Sequence, residues 1–218
     1  ARFFIEITKE QDVVDALHAA RQSGVPYMAL GNGSNMLFAD DGYQGVILHF
    51  GRAFSTITVE GLTIKAQSGA MLSRLSSIAA GAELKGLEFA ASIPGTVGGA
   101  AVMNAGAFGS SLADYITRVR CLMPDLSILN SPVQEMDYAY RHSRAMAEGL
   151  IILEVEFLLQ EGEGEAIRAL MKDYSDRRRA NQPLTYPSAG SFFKRPEGHF
   201  AGALIESAGL KGLKVGQA

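Results

Sequence analysis

The chain of 218 residues is long enough for one large domain or two small ones, each with its own hydrophobic core. Its net charge of -3 and hydrophobic fraction of 47% exclude the basic surface of a nucleic-acid-binding protein, and no apolar run reaches the roughly 18 residues of a membrane span. The single cysteine, Cys121, excludes an internal disulfide and disfavours a cysteine metal site, which fits a reducing, cytoplasmic compartment. The apolar neighbours of Cys121 predict an inert buried thiol.

The first third of the chain predicts strands around one helix. Residues 1–7 have a strand pattern, and Thr8-Lys-Glu-Gln11 is typical of a capping box at a helix start. Apolar residues then recur at helical spacing until Gly24, and buried strands are predicted over residues 26–30 and 45–50. The predicted order is therefore β-α-β-loop-β, with the loop directly after a strand end.

The pattern changes from residue 57. Two short strands, 57–59 and 62–66, are predicted to pair across Glu60-Gly61, and helical spacing covers residues 71–84. A glycine-rich stretch at 90–110 precedes strands at 117–123 and 150–159 and a helix at 164–180, after which Pro183 and Pro187 interrupt the chain. The mixture of hairpins and crossovers favours an α+β fold over a doubly wound parallel sheet.

Loop one, Leu30-Gly-Asn-Gly-Ser-Asn-Met-Leu37, has the composition of a phosphate-binding loop. Its two glycines allow close approach of a ligand to the backbone, and successive free N–H groups form an anion-binding concavity. It is not a dinucleotide fingerprint, because Met36 stands where the third glycine belongs. A tight turn between two strands is the open alternative.

Loop two, residues 93–109, contains five glycines and almost no bulky side chains. Such a segment is poor at forming its own core, and is suited to lying against a planar ligand while its N–H groups meet phosphate. The alternative is a close-packed contact between a helix and a strand. Two such loops together favour a dinucleotide site.

Two further segments carry reactive side chains. In Tyr138-Ala-Tyr-Arg-His-Ser143, Arg141 can hold a carboxylate with two parallel hydrogen bonds, or can simply stack on a tyrosine at the surface. His142 is expected to be structural or exposed, because no Asp or Cys partner is evident nearby. The four histidines are scattered and predict no metal site.

Ser191 lies in Pro187-Ser-Ala-Gly-Ser-Phe-Phe-Lys-Arg-Pro196, after two small residues. It is not a nucleophile elbow, since Phe193 stands where the second glycine of that motif belongs. As a very weak acid, a serine protonates only a strongly basic atom such as an enolate carbon. A serine in a turn with no chemical role is the alternative.

Together these segments resemble the UDP-N-acetylenolpyruvoylglucosamine reductase (MurB) family in its shorter-chain type. The resemblance follows the chain in order over nearly its whole length, and its most specific parts are the Tyr-Arg-x-Ser and Ala-Gly-Ser-x-Phe-Lys blocks. The matching segments are Gly31-Asn-Gly-Ser-Asn35, Ile93-Pro-Gly-Thr-Val-Gly-Gly99, Asn104-Ala-Gly-Ala-Phe-Gly109, Tyr140-Arg-His-Ser143, Arg177-Arg178 before Gln182-Pro183, Pro187 to Pro196, and His199-Phe-Ala-Gly-Ala-Leu-Ile-Glu206.

The resemblance implies an α+β fold: a two-part FAD-binding domain of the vanillyl-alcohol-oxidase (PCMH) type, then a truncated α/β substrate domain. The FAD-binding domain is expected over residues 1–182, with subdomains of about 1–50 and 51–182, and residues 183–218 begin the incomplete substrate domain. The implied reaction passes hydride from NADPH through FAD to the enolpyruvyl ether of UDP-N-acetylglucosamine-enolpyruvate, giving UDP-N-acetylmuramate. This flavoprotein activity belongs to peptidoglycan synthesis, and hence to cell-wall biogenesis, cell shape and cell division. A cytoplasmic monomer with no nucleic-acid or membrane partner is implied.

The resemblance also assigns residues. Arg141 is expected to hold the substrate carboxylate and Ser191 to protonate C2, with Lys194 and Arg195 also binding substrate. The expected cofactor-binding residues are Gly31, Asn32, Gly33, Ser34, Asn35, Ser92, Pro94, Gly95, Thr96, Gly98, Gly99, Ala100, Asn104, Gly106, Ala107 and Arg178.

Two family features have no counterpart in these residues: a catalytic glutamate after Val-Ser-x-Lys-His-Ala, and a Thr-Thr-Phe-x-x-Gly-Gly segment before residue 1. Because one segment belongs at each end, both ends of the chain look cut. Glu206 lies in a predicted helix and is not given the role of the catalytic glutamate. The alternatives are another PCMH-type flavoprotein oxidoreductase and a non-catalytic FAD- or nucleotide-binding module. The first often attaches flavin through His or Cys, and neither residue lies in either loop; the second leaves Arg141 and Ser191 unexplained.

Overall fold

Two sheets dominate the computed structural model, which describes residues 1–182 and 192–216. Their strands form a parallel lobe, residues 3–49, and an antiparallel lobe, residues 57–182. The helices and strands are β1 (Phe3–Glu6), α1 (Glu10–Gln22), β2 (Tyr27–Leu30), β3 (Val46–His49), β4 (Ile57–Glu60), β5 (Thr63–Gln67), α2 (Leu72–Gly81), β6 (Leu84–Lys85), α3 (Val97–Val102), β7 (Gly106–Ala107), β8 (Ser110–Ser111), β9 (Ile116–Leu122), β10 (Ile128–Pro132), α4 (Arg144–Glu148), β11 (Ile151–Leu158), β12 (Gln160–Glu161), α5 (Gly164–Asn181) and α6 (Ala201–Ser207).

The parallel lobe is a three-stranded sheet in the order β1-β3-β2, with α1 as the crossover that parallel strands require. Helix α1 packs its apolar face into the core of this lobe through Val13 and Leu17, which are fully buried. Its start was predicted one residue too early. The helix begins at Glu10. The N–H groups of Thr8 and Lys9 therefore donate to the carboxylate of Asp12, at 2.9 Å and 3.0 Å, and not to the predicted side chain of Gln11.

The antiparallel lobe is a five-stranded sheet in the order β10-β9-β11-β5-β4. Strand β11 is buried on both faces, because its successive side chains point to opposite sides, and a β-bulge at Leu153 shifts this alternation within the strand. Ile152 and Phe157 face the main core with α2 and α3, while Ile151 and Leu153 face the core of the parallel lobe. The antiparallel sheet therefore has a helix layer on one side and the parallel lobe on the other.

Polar contacts also join the lobes. Arg120 on β9 makes two hydrogen bonds to the carboxylate of Glu10 on α1, one of them from Nη2 at 2.7 Å, and the guanidinium of Arg21 donates to the Pro124 carbonyl. The bond to Glu10 raises the pKa of Arg120, so this arginine stays charged throughout the physiological pH range. These contacts and the shared core fix the parallel lobe against the sheet of the antiparallel lobe.

Comparison with the predicted elements confirms the α+β class and the opening β-α-β-loop-β order, with most bounds shifted by one or two residues. The helix predicted over 71–84 is shorter, because Leu84 pairs in β6 instead. Strand β10 and helix α3 were not predicted. Residues 183–191, including the predicted break at Pro183 and Pro187, lie outside the described residues.

The prediction that Cys121 is a buried, inert thiol is confirmed. Its side chain is fully buried in β9, and burial away from water raises the pKa of the thiol to about 12. The thiol is therefore neutral at physiological pH and has no access to solvent, so it is a packing residue.

Candidate functional site

Loop one leaves β2 at the edge where all three parallel strands end, since Glu6, Leu30 and His49 occupy one register position. Ligands of parallel sheets bind outside this edge. Among the described residues, the N–H groups of residues 31–35 have no hydrogen-bond partner, and the loop closes on itself only through Met36 N to Gly33 O at 3.1 Å. Gly33 has a φ of +67°, which glycine adopts without strain. A run of free N–H groups on an open edge is the geometry of an anion-binding concavity.

Loop two differs from the prediction, because residues 97–102 form helix α3. The N–H of Val97 donates to Ala70 O at 2.8 Å and that of Gly98 to Ser68 O at 3.0 Å, so neither is free for phosphate. Val97 and Ala101 are fully buried. A Cβ on Gly98 would lie 2.7 Å from the Ser68 side chain. The alternative of close helix–strand packing therefore describes this part of loop two, and its small residues serve tertiary packing.

The two loops touch each other at one point. A Cβ on Gly31 would lie 2.1 Å from Thr96 Oγ1, and one on Gly95 would lie 3.6 Å from Ser34 Oγ. Thr96 Oγ1 and Ser92 Oγ are buried and have no hydrogen-bond partner among the described residues. An unpaired buried hydroxyl costs about 1–3 kcal/mol, which a bound polar ligand would recover. A cleft runs between the loops, lined by both of them together with Ser68, Phe50 and the start of β11.

This contact makes Gly31→Ala a direct test of the site. The added methyl group must displace Thr96, a buried branched side chain, so we expect a loss of stability of about 1–3 kcal/mol and weaker retention of any nucleotide. Thr96→Ala in the same chain removes the colliding atoms and should restore the stability, while nucleotide retention stays lower because the Thr96 hydroxyl is lost. The control is Gly81→Ala, in α2, where a Cβ meets nothing within 4 Å. Thermal melts and equilibrium dialysis measure the two effects, and a Gly31→Ala protein that behaves like the Gly81→Ala protein would contradict the contact.

Tyr140 and Arg141 occupy the tip of a tight turn. Ala139 and His142 close it by mutual backbone hydrogen bonds of 3.2 Å. Arg141 has a φ of +55°, in the left-handed region that favours glycine at this turn position. Its guanidinium carbon lies 5.3 Å from the centre of the Tyr140 ring, and no described carboxylate pairs with it. The arrangement combines the predicted tyrosine stacking with a guanidinium that is free to bind an anion.

The prediction that His142 lacks an acidic partner is wrong. His142 Nε2 lies 3.0 Å from Asp137 Oδ2, and Asp137 itself has a φ of +46°. The sequence offered no periodic signal for this pair, because its five-residue spacing fits neither a helix nor a strand. Both side chains are exposed, and their contact braces the turn that carries Arg141.

Four predicted site residues lie outside the two loops and the Arg141 turn, namely Arg178, Lys194, Arg195 and Ser191. Arg178, on α5, donates from Nη1 to Ser92 O at 2.6 Å and from Nε to Gln182 Oε1 at 3.0 Å, so it is tied to the start of loop two. Arg195 donates its backbone N–H to Tyr140 Oη at 3.2 Å and covers the Phe200 ring at 4.0 Å. Lys194 is exposed. Ser191 lies outside the described residues, so its predicted role remains a prediction.

One contact in this region was not predicted at all. Phe108, in loop two, stacks on Tyr174 of α5 with ring centres 4.1 Å apart and planes 7° apart. Tyr174 and Arg178 lie one helical turn apart, so both fasten α5 to loop two. Across the described parts of the chain, no helix is both long and apolar enough to cross a membrane, and no three His, Cys, Asp or Glu side chains gather as metal ligands.

Comparison with known families gives two matches. A family described as "FAD binding domain" matches residues 1–131, and one described as "UDP-N-acetylenolpyruvoylglucosamine reductase, C-terminal domain" matches residues 182–218. UDP-N-acetylenolpyruvoylglucosamine reductase of Clostridium perfringens is 43% identical over 218 residues, which cover all of this chain and 71% of that protein. The reductase of Caldicellulosiruptor saccharolyticus is likewise 43% identical over 220 residues, with the same coverage.

Solved structures agree with these matches. The crystal structure of the reductase from Thermus caldophilus superposes with a TM-score of 0.82 at 34% identity, covering 98% of this chain and 75% of that one. A BBE-like protein of Physcomitrella patens superposes with a TM-score of 0.57 at 20% identity, covering 72% of this chain and 36% of that one. The second likeness is one of fold alone.

Proposed function

Because the chain belongs to the UDP-N-acetylenolpyruvoylglucosamine reductase family and is thus an FAD-dependent oxidoreductase, we propose that it reduces UDP-N-acetylglucosamine-enolpyruvate to UDP-N-acetylmuramate with NADPH. The proposal treats residues 1–182 as the FAD-binding domain and residues 183–218 as the beginning of a substrate domain, acting as a cytoplasmic monomer. The observation that carries it is Arg141: an arginine without a described acidic partner, held in a left-handed turn and fastened to loop two.

The described residues fit an FAD pyrophosphate. Loop one offers the consecutive free N–H groups of residues 31–35, and Thr96 and Ser92 add two buried hydroxyl groups without described partners. Within loop two, we assign cofactor contacts to Pro94, Gly95, Gly99, Ala100, Gly106 and Ala107, and also to Arg178, which is tied to Ser92 O at the start of that loop. We assign the pyrophosphate to loop one, since the N–H groups of Val97 and Gly98 in loop two are already bonded to the backbone.

Arg141 binds the carboxylate of the enolpyruvyl group. A guanidinium donates two parallel hydrogen bonds to a carboxylate, which fixes the orientation of the reacting double bond. When bound, FAD relays electrons from NADPH and supplies the hydride that C3 of that double bond accepts. Negative charge then spreads from C2 into the carboxylate, and Arg141 stabilises it where it develops.

Ser191 donates the proton that completes the reduction at C2. A serine hydroxyl is too weak an acid for most acceptors, but an enolate carbon is basic enough to take its proton. Lys194 and Arg195, three and four residues further on, supply positive charge for the UDP pyrophosphate. The hydrogen bond from Arg195 N to Tyr140 Oη brings this segment against the Arg141 turn, which supports a shared site.

The test begins with reconstitution. The protein is incubated with FAD, freed of excess cofactor, and scanned for the yellow flavin absorbance band. NADPH is then added without oxygen to bleach the band, and UDP-N-acetylglucosamine-enolpyruvate is added to restore it. Mass spectrometry of the product should show a gain of two hydrogens.

Each failure has its own meaning. A protein with no flavin band after reconstitution would be a module of another kind. A flavin that an alcohol or a sugar reduces and oxygen reoxidises, with no response to the enolpyruvyl ether, would identify an oxidase of the same superfamily.

A further inference from the structure

The hydrogen bonds within the turn that carries Arg141 do not by themselves orient the turn against the cofactor loops. The turn from Ala139 to His142 is closed by two backbone hydrogen bonds and braced by the exposed Asp137–His142 contact. An exposed turn with a left-handed arginine would sample several orientations unless something buried held it. A carboxylate-binding guanidinium needs a fixed orientation, because misplacement of about 1 Å can cost 10²-fold in rate.

Asn104 supplies a buried connection. It lies in loop two just after α3, is 9% exposed and has a φ of +41°. Its side-chain Nδ2 donates to Ala139 O at 3.1 Å, and its Oδ1 accepts from Ala113 N at 3.1 Å. Only one orientation of the amide satisfies both partners, since a carbonyl cannot donate and an N–H cannot accept. Ser143 adds a second tie on the other side of the turn, from its Oγ to Val102 O at 2.7 Å.

We propose that Asn104 is a positioning residue that fixes the Arg141 guanidinium relative to loop two. Its side chain holds the turn that carries Arg141 and does not contact the cofactor. Both polar atoms of the amide are already occupied by the protein backbone. Asparagine also tolerates the left-handed φ better than other donors of its size. The inference rests on the proposed function, in which Arg141 recognises a substrate carboxylate.

The variants separate the parts played by Asn104. Asn104→Asp keeps the acceptor for Ala113 N but places a carboxylate oxygen against the Ala139 carbonyl, so only the tie to the turn is broken. Asn104→Gly keeps the left-handed φ and loses both bonds. The control is Ser76→Ala, which removes another hydrogen bond from a buried side chain to the backbone, Oγ to Leu87 O at 2.6 Å, in α2.

The readout is binding by calorimetry to the FAD-loaded protein in the absence of NADPH. Two probes are compared: UDP-N-acetylglucosamine-enolpyruvate, which carries the carboxylate, and UDP-N-acetylglucosamine, which lacks it. We expect both Asn104 variants to lose about tenfold or more of the preference for the carboxylate probe, while affinity for the other probe stays within about twofold. Ser76→Ala should keep the full preference, and Asn104→Asp should change nothing further in an Arg141→Ala protein.

The outcomes distinguish this inference from the function on which it rests. If the unmodified protein shows no preference for the carboxylate probe, the proposed function fails, and the inference fails with it. If the unmodified protein shows the preference and both Asn104 variants keep it, only the inference is overturned. Equal weakening of both probes would also overturn it, because that result is general destabilisation. If Asn104→Asp does not retain FAD, Asn104→Gly decides alone.

Discussion

Replacing Arg141 by lysine is expected to slow reoxidation of the reduced flavin by the enolpyruvyl substrate roughly 10²- to 10³-fold. Lysine keeps the positive charge but replaces two parallel hydrogen bonds with a point contact, so the carboxylate loses its fixed orientation. Reduction of the flavin by NADPH should proceed at the unmodified rate, because that half-reaction involves no enolpyruvyl carboxylate. Single-turnover absorbance kinetics measure the two half-reactions separately.

The structure offers a matched control three residues away. Arg144→Lys makes the same exchange in α4, where the arginine pairs with Glu148 at 2.9 Å, and should leave both half-reactions unchanged. Arg141→Gly adds a second readout. Glycine relieves the left-handed φ, so the melting temperature should stay level or rise while the reaction with substrate is lost. Arg141→Lys kinetics equal to those of Arg144→Lys would remove Arg141 from the mechanism.

The elements that the sequence predicted correctly are those whose pattern is local. Helix α1 shows apolar residues at helical spacing between a polar start and Gly24, and β11 is an apolar run of strand length. Both bury side chains at nearly every position that the pattern marks. The loop between β2 and β3 was also predictable, because glycine and asparagine break a strand wherever they cluster.

Two features that were missed, helix α3 and the bulge in β11, depend on partners far away in the chain. Helix α3 consists of glycine, alanine and valine, a composition that is typical of a loop. It forms because the backbone carbonyls of Ser68 and Ala70 accept hydrogen bonds from its first N–H groups. The bulge at Leu153 is likewise invisible in sequence, since only the packing of the sheet requires Ile152 before the bulge and Phe157 after it to face the same core. Tertiary structure overrides local propensity at both places.

The candidate site shows the same division. Loop one was recognisable from its residues, and its free N–H groups match the anion-binding geometry expected of them. The contact of Gly31 with Thr96, the Asp137–His142 pair and the two bonds of Asn104 join residues whose spacing follows no period. Such contacts position a site without belonging to a motif, so they emerge only from coordinates.

Replacing Ser191 by alanine is expected to have an effect comparable to that of Arg141→Lys. General acid catalysis by a placed side chain contributes roughly 10²- to 10⁴-fold, and alanine removes the only proton that the proposed mechanism assigns to C2. The flavin band should bleach with NADPH at the unmodified rate, and its return on addition of UDP-N-acetylglucosamine-enolpyruvate should slow by that factor. Substrate affinity, measured before NADPH is added, should change little, because one hydroxyl group is a small part of the contact with a nucleotide sugar.

A neighbouring serine in the same segment gives the control. Ser188→Ala removes an identical hydroxyl three residues earlier, in Pro187-Ser-Ala-Gly-Ser191, and should leave both half-reactions as they are. Ser191→Cys provides a more acidic donor at the same position, so partial recovery of flavin reoxidation would mark the step as proton transfer. Fast reoxidation in Ser191→Ala would show that another group protonates C2. Slow reoxidation in Ser188→Ala as well would mean that the segment matters through its conformation, and the chemical role of Ser191 would have to be withdrawn.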